Sequence, residues 1–224
     1  MSTLTHIPAQ RIHRSLTASG ERRILEHLAR HTPRLITSDH LTTLGLSAQI
    51  GAGLFYALAR THPLALLAVN GCILLNWLGD SLDGTLARVR QQQRPRFGFY
   101  ADHITDLFGA TALFTGLALS GLAHTVICAA MLIGFLLLSA ESFLATHTLA
   151  RFELSQFLLG PTELRILLIV GNLFLLRSPF AQILGHRVLL FDLGGVIAAL
   201  SMFALTLVLA IRHAAQLFRE EPLA

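Results

Sequence analysis

Six apolar runs, at 41–59, 64–87, 99–121, 124–148, 163–181 and 189–211, restrict what this chain can become more than anything else in it. Each is close to the ~20 residues that carry an α-helix across a hydrocarbon core about 30 Å thick. The composition agrees, with 53% hydrophobic residues, 13% charged residues and a mean hydropathy of +0.61, well outside the soluble globular range. The expected fold class is therefore all-α, a polytopic membrane protein with six transmembrane helices. Connections are short at 60–63 and 122–123 and longer at 88–98 and 149–162, so the chain should run up and down as a bundle. The predicted organisation is an interfacial or cytoplasmic segment over 1–40, a six-helix transmembrane domain over 41–213 and a short cytoplasmic tail over 214–224.

The first forty residues are polar and basic, without the apolar segment of a cleaved signal peptide. Within them ERRILEHLARH places Ile24, Leu25 and Leu28 on one side of a short helix, which reads as an amphipathic helix lying on the membrane surface. Pro33 and the Thr37/Ser38/Asp39 cluster supply a break and a cap before the first apolar run. Every Lys/Arg position is an arginine, and the formal net charge is +4. The apolar composition argues against a nucleic-acid partner, so the excess is read as setting topology and holding anionic headgroups. With the N-terminus inside, the leader arginines join Arg88, Arg90, Arg94, Arg96, Arg151, Arg165, Arg212 and Arg219 on the cytoplasmic side, leaving Arg60, Arg177 and Arg187 outside. That asymmetry predicts both termini in the cytoplasm of a cell inner or plasma membrane. Cys72 and Cys128 lie inside apolar runs and read as reduced, packed thiols.

Against this background the stretch Asp80–Asp106, DSLDGTLARVRQQQRPRFGFYADHITD, is the anomaly. It attaches two pairs of carboxylates, Asp80/Asp83 and Asp102/Asp106, to apolar runs. At about 100° per residue, Asp80, Asp83, Gly84 and Ala87 share one face of their helix, and Gly98, Asp102, Asp106 and Gly109 form a stripe on the next. Ionised acids at membrane depth cost roughly 2.5–3.5 kcal/mol each, and four in one cleft repel one another. Two divalent cations would balance them, and hard oxygen ligands select Mg²⁺ or Mn²⁺. The topology puts all four acids at the cytoplasmic ends of their helices.

Asp80-x-x-Asp83-Gly84-x-x-Ala87-Arg88, followed by Gly98-x-x-x-Asp102-x-x-x-Asp106, resembles the signature of the CDP-alcohol phosphotransferases, also called CDP-alcohol phosphatidyltransferases. One departure is visible: nine residues, Val89 to Phe97, separate Arg88 from Gly98 where the family usually has eight, and the extra one falls in a cytoplasmic loop. The resemblance implies transfer of a phosphoalcohol from a CDP-alcohol to an acceptor hydroxyl with release of CMP, at a two-metal site open to the cytoplasm. It implies that Asp80, Asp83, Asp102 and Asp106 are metal ligands, with Asp106 also the base that takes the acceptor's proton. Gly84 and Ala87 would let the nucleotide approach the helix backbone, and Arg88 would contact the cytidine diphosphate. Within the family, CDP-diacylglycerol with a small polar alcohol acceptor is the expected pairing, in phospholipid biosynthesis. The alternative is CDP-choline or CDP-ethanolamine donated to diacylglycerol. A cation transporter is a distant rival, disfavoured because the acids cluster at one membrane face. A homodimer is expected from the resemblance alone; Gly45, Gly51 and Gly53 could pack between subunits or within one.

Other residues are read from position. Asn76, one turn before Asp80, could hold that carboxylate by a hydrogen bond or serve helix packing. Gly160 to Arg165, GPTELR, reads as a helix start, and Glu163 and Arg165 should reach the level of the aspartates, where they could bind the acceptor. Glu141, well inside its run, needs a partner or a site role. His103 points away from Asp102 and reads as structural, and Asp192 reads as an interfacial acid toward the opposite face.

Overall fold

The computed structural model describes residues 18–149, 161–183 and 185–221. These residues form seven helices and one small hairpin: α1 (Ala18–His31), α2 (Ser38–Ala59), α3 (Ala65–Val89), α4 (Pro95–Ser120), α5 (Thr125–Leu149), α6 (Pro161–Leu175), β1 (Phe180–Ile183), β2 (His186–Leu189) and α7 (Leu190–Glu220). Helices α2 to α7 fall one for one on the six apolar runs. Four of the described helices, α2, α3, α5 and α7, are long and apolar enough to cross a membrane. The fold is that of an all-α polytopic membrane protein. Helix α4 has the length, at 26 residues, but carries Arg96, Asp102 and Asp106 in its first half, and α6 has 15 residues.

The largest departure from expectation lies between α6 and α7. The run 163–181 predicts one helix, yet the helix ends at Leu175 and Phe180–Ile183 pairs antiparallel with His186–Leu189, Phe180 opposite Leu189. Pro179 accounts for the break, since proline disfavours helical backbone in the residue before it. Hydropathy cannot distinguish a short apolar strand from a helix end. At the other end of α7 the helix continues past 211 to Glu220, taking in residues expected to be tail.

Helix α1 buries Leu25 and Ala29, one turn apart, against Leu41 of α2 and Leu82 and Leu86 of α3, with Leu28 and Trp77 beside them. Ile24, expected on the same side, is 55% exposed. The apolar stripe of α1 is thus spent on the bundle itself. Three carbonyls at the α1–α2 connection, those of Thr32, Pro33 and Ile36, accept from the Arg90 guanidinium at 2.6–2.9 Å. The expected cap of α2 is present: Thr37 Oγ1 accepts from the His40 N–H, and the His40 ring accepts from the Thr37 N–H.

Helix α2 is the spine, packing against both α3 and α4. The approach depends on glycine. A Cβ on Gly116 would collide with the backbone of Gly53, and one on Gly53 with the Ala112 carbonyl; a Cβ on Gly79 would lie 2.6 Å from the Leu41 carbonyl oxygen. Gly45 meets the Asp80 N–H region and Gly51 the Cys72 sulfur, so these small residues of α2 pack within the chain. Cys72 and Cys128 are free thiols, Cys128 buried.

The bundle core surrounds a chain of polar groups. Tyr56 of α2 donates to Asn172 of α6 at 2.9 Å, Asn172 donates to Asn70 of α3 at 2.7 Å, and Asn70 reaches the Ile169 carbonyl at 3.4 Å. Tyr56 and Asn172 are fully buried, and mutual bonding removes the penalty such groups would otherwise carry. Helices α5 and α7 are stapled at both ends by His–carboxylate contacts. Glu141 meets His213 Nδ1 at 2.6 Å, the partner its depth demanded, and Asp192 pairs with His124.

Candidate active site

Because α3 and α4 each lean on α2, their acid-bearing faces meet across a gap. Asp80 of α3 and Asp102 and Asp106 of α4 each offer a carboxylate oxygen, and the three oxygens lie within 4.8 Å of one another. The convergence follows from the spacing, since Asp102 and Asp106 stand one turn apart on one face. Below them Gly109 admits the Gln49 side chain of α2, against which a Cβ at that position would collide.

Asp83 stands outside this trio. It is 9% exposed, and its Oδ2 accepts from Thr42 Oγ1 of α2 at 2.6 Å, while Ser38 donates to its main-chain carbonyl at 3.1 Å. The sequence reading did not find Thr42, which carries no local signal beyond being a polar residue in the first turns of an apolar helix.

Arg165, the first charged group inside α6 after Glu163, reaches across to α3. Its Nη2 donates to Asp80 Oδ2 at 2.6 Å and its Nε to Asn76 Oδ1 at 3.1 Å. Asn76 in turn donates to the Gly45 carbonyl at 3.1 Å and to Gln49 Oε1 at 3.2 Å. The bonds of Asn76 thus join α3 to α2 and to Arg165, which itself holds Asp80. Glu163 lies half-buried in the first turn of the same helix.

Arg88 donates to Thr85 Oγ1 at 2.9 Å and lies back over Gly84, where a Cβ would meet its guanidinium at 3.5 Å. Gly98 faces open space. His103 stacks on Phe99 at 4.1 Å between ring centroids, meets Phe143 of α5 edge-on and donates through Nδ1 to the Phe99 carbonyl, yet the same nitrogen lies 3.9 Å from Asp102 Oδ2, so the ring does not point clear of that acid as expected.

A cleft of about 410 Å³ opens beside this region, bounded by Thr37, Asp39, Ala87, Arg90, Gln92 and Arg94. Its rim is made by the end of α3, which closes with the Gln91 N–H on the Arg88 carbonyl and the Gln92 N–H on the Ala87 carbonyl. This doubled closure places the residue after the cap in the left-handed region, and that residue is Gln91, φ 54°. Arg94 pairs with Asp39 and covers the Phe97 ring at 4.2 Å, fixing the opposite rim.

A family model of CDP-alcohol phosphatidyltransferase matches residues 35–212, a span that takes in α2 through most of α7. The chain belongs to the CDP-alcohol phosphatidyltransferase family. It is accordingly a membrane-embedded phosphotransferase of phospholipid synthesis, and the motif from Asp80 to Asp106 lies inside the match. CDP-alcohol phosphatidyltransferases work with divalent metal, and the three converging carboxylates are a donor set of the hard oxygen type such ions require. The fold is shared with the crystal structure of Mycobacterium tuberculosis phosphatidylinositol phosphate synthase with CDP-DAG bound, at 22% identity and a TM-score of 0.56, covering 87% of this chain and 92% of that one. No curated protein sequence matches the chain.

Proposed function

We propose that the protein transfers a phosphatidyl group from CDP-diacylglycerol to the hydroxyl of a small alcohol, releasing CMP. The observation that carries this reading is the meeting of Asp80, Asp102 and Asp106 from two helices inside the family's motif. The CDP-DAG bound to the mycobacterial synthase of the same fold supports that donor over CDP-choline or CDP-ethanolamine.

In this reading Asp80, Asp102 and Asp106 hold Mg²⁺ or Mn²⁺, and Asp83, steadied by Thr42, completes the set for two ions. Such ions, when bound, neutralise charge on the donor's pyrophosphate. The chain's own residues do the rest. Asp106 accepts the acceptor's hydroxyl proton as that oxygen bonds to the phosphorus bearing the diacylglycerol, while the bond from this phosphorus to the bridging oxygen breaks and CMP departs with its electron pair. Arg88, next in sequence to the cleft-lining Ala87, is the proposed contact to the cytidine diphosphate, for which its planar fork is suited. Gly98 leaves the start of α4 open to the ligand. Arg165 and Glu163, at the start of α6, are the proposed acceptor contacts.

All six helices α2 to α7 are proposed to span the membrane as a catalytic domain over 41–213, preceded by the 1–40 segment. The arginine asymmetry faces the cleft to the cytoplasm, and the working form is proposed to be a homodimer. The deciding experiment incubates purified protein with Mg²⁺, CDP-diacylglycerol and a panel of small alcohols, and in parallel with CDP-choline and diacylglycerol, following CMP. Release with CDP-diacylglycerol that disappears in excess EDTA is expected; turnover only with CDP-choline, or undiminished by EDTA, overturns the reading.

A further inference from the structure

Glu21, in the first turn of α1, has no place in the chemistry above, yet three helices meet on its carboxylate. Its Oε1 accepts from Trp77 Nε1 at 2.8 Å, from Ser81 Oγ at 3.3 Å and from Thr162 Oγ1 at 3.1 Å, and its Oε2 lies 3.2 Å from the same threonine oxygen. Trp77 and Ser81 are on α3, and Thr162 is in the first turn of α6. The places these partners occupy are informative. Trp77 and Ser81 immediately follow Asn76 and Asp80, the two residues that grip Arg165. Thr162 stands three residues before Arg165, one turn of helix. The same two helices are therefore tied twice at the same level, once by Arg165 itself and once through a carboxylate supplied by α1.

We propose that Glu21 is a positioning residue, which by pinning the first turn of α6 to α3 sets Arg165 against Asp80 and Asn76. Arg165 engages two acceptors through a rigid planar fork, so both bonds form only at one height of α6 along α3. A slip of a single residue, about 1.5 Å along the axis, would break both. Hydrogen bonds to a carboxylate are stronger than neutral ones, and three donors converging on one acceptor restrain α6 against such a slip. Helix α1 thereby takes part in positioning the site. The inference rests on the transferase reading, and its test separates the two.

Trp77 is the chain's only tryptophan, so its fluorescence reports the Glu21 contact directly. In full-length protein, Glu21→Ala is expected to raise acrylamide quenching of Trp77 and to lower kcat/KM for CMP release about tenfold, the scale typical of groups that orient a site residue. Thr162→Val severs only the α6 arm, so it should lower kcat/KM in the same direction while leaving Trp77 quenching unchanged. Glu26→Gln, on the same helix and paired with Arg22, should leave both readouts alone. The decisive measurement is the cycle with Arg165→Ala: if Glu21 acts through Arg165, adding Glu21→Ala or Thr162→Val to Arg165→Ala costs nothing further. Full additivity, or normal kcat/KM in Thr162→Val and in Glu21→Ala despite increased quenching, overturns the proposal and leaves the transferase reading standing. Wild-type protein that releases no CMP from any CDP-alcohol removes the transferase reading, and the positioning role with it.

Discussion

Asp106 lies about three turns into α4 and Asp192 in the first turn of α7, and their surroundings assign them different work. Asp106 converges with Asp80 and Asp102, whereas Asp192 is taken up by His124 between α7 and the start of α5. Asp106→Asn keeps the size and a carbonyl oxygen while removing a charge and the proton acceptor. Turnover is expected to fall by about 10²–10⁴-fold, the range typical of a general base, while donor binding survives in part. Asp192→Asn should leave kcat and KM near wild type. Steady-state CMP release and CDP-alcohol binding, measured on both variants at equal foldedness, check this; equal damage from the two would mean that the acids serve insertion or stability rather than chemistry.

At the scale of elements, the acids are presented by two helices whose separation is set by a third. Gly116 of α4 lies on the Gly53 backbone of α2, with no flexible side chain there to yield. Gly116→Ala should therefore force α2 and α4 apart and destabilise the fold by about 1–3 kcal/mol, the usual scale of overpacking, seen as a lower Tm in detergent. The end of α3 offers the opposite case. Gln91 holds a left-handed conformation that costs a non-glycine residue roughly 1–2 kcal/mol, partly offset by the greater freedom glycine has in the unfolded chain. Gln91→Gly should raise stability by up to about 1 kcal/mol, and a lower Tm in that variant would show that the Gln91 side chain contributes more than its backbone costs. This turn sits in the connection between the two acid-bearing helices, beside the cleft.

For the whole molecule, the arginine asymmetry predicts that the cleft faces the cytoplasm. A single cysteine placed at Gln92 or Gln93, with Cys72 and Cys128 replaced, should react with an impermeant maleimide only from the cytoplasmic side, and labelling from outside would invert the topology. Much of the molecule is legible in its sequence. Hydropathy over ~20-residue windows and the 3.6-residue period are local properties, so the sequence by itself determined an all-α membrane fold, the places of α2 to α7, the cap at Thr37 and the shared faces of Asp80/Asp83 and Asp102/Asp106. Local properties also misled at the end of the 163–181 run, where the helix stops at Leu175 and the residues after Pro179 enter a hairpin. Which groups meet across helices depends on how closely neighbouring backbones approach, and no window along one chain encodes that distance. Only the tertiary structure decided that glycine contacts seat α4 on α2, that Asp80 joins Asp102 and Asp106 while Asp83 turns to Thr42, and that Arg165 reaches Asp80 from α6 beside a carboxylate contributed by α1.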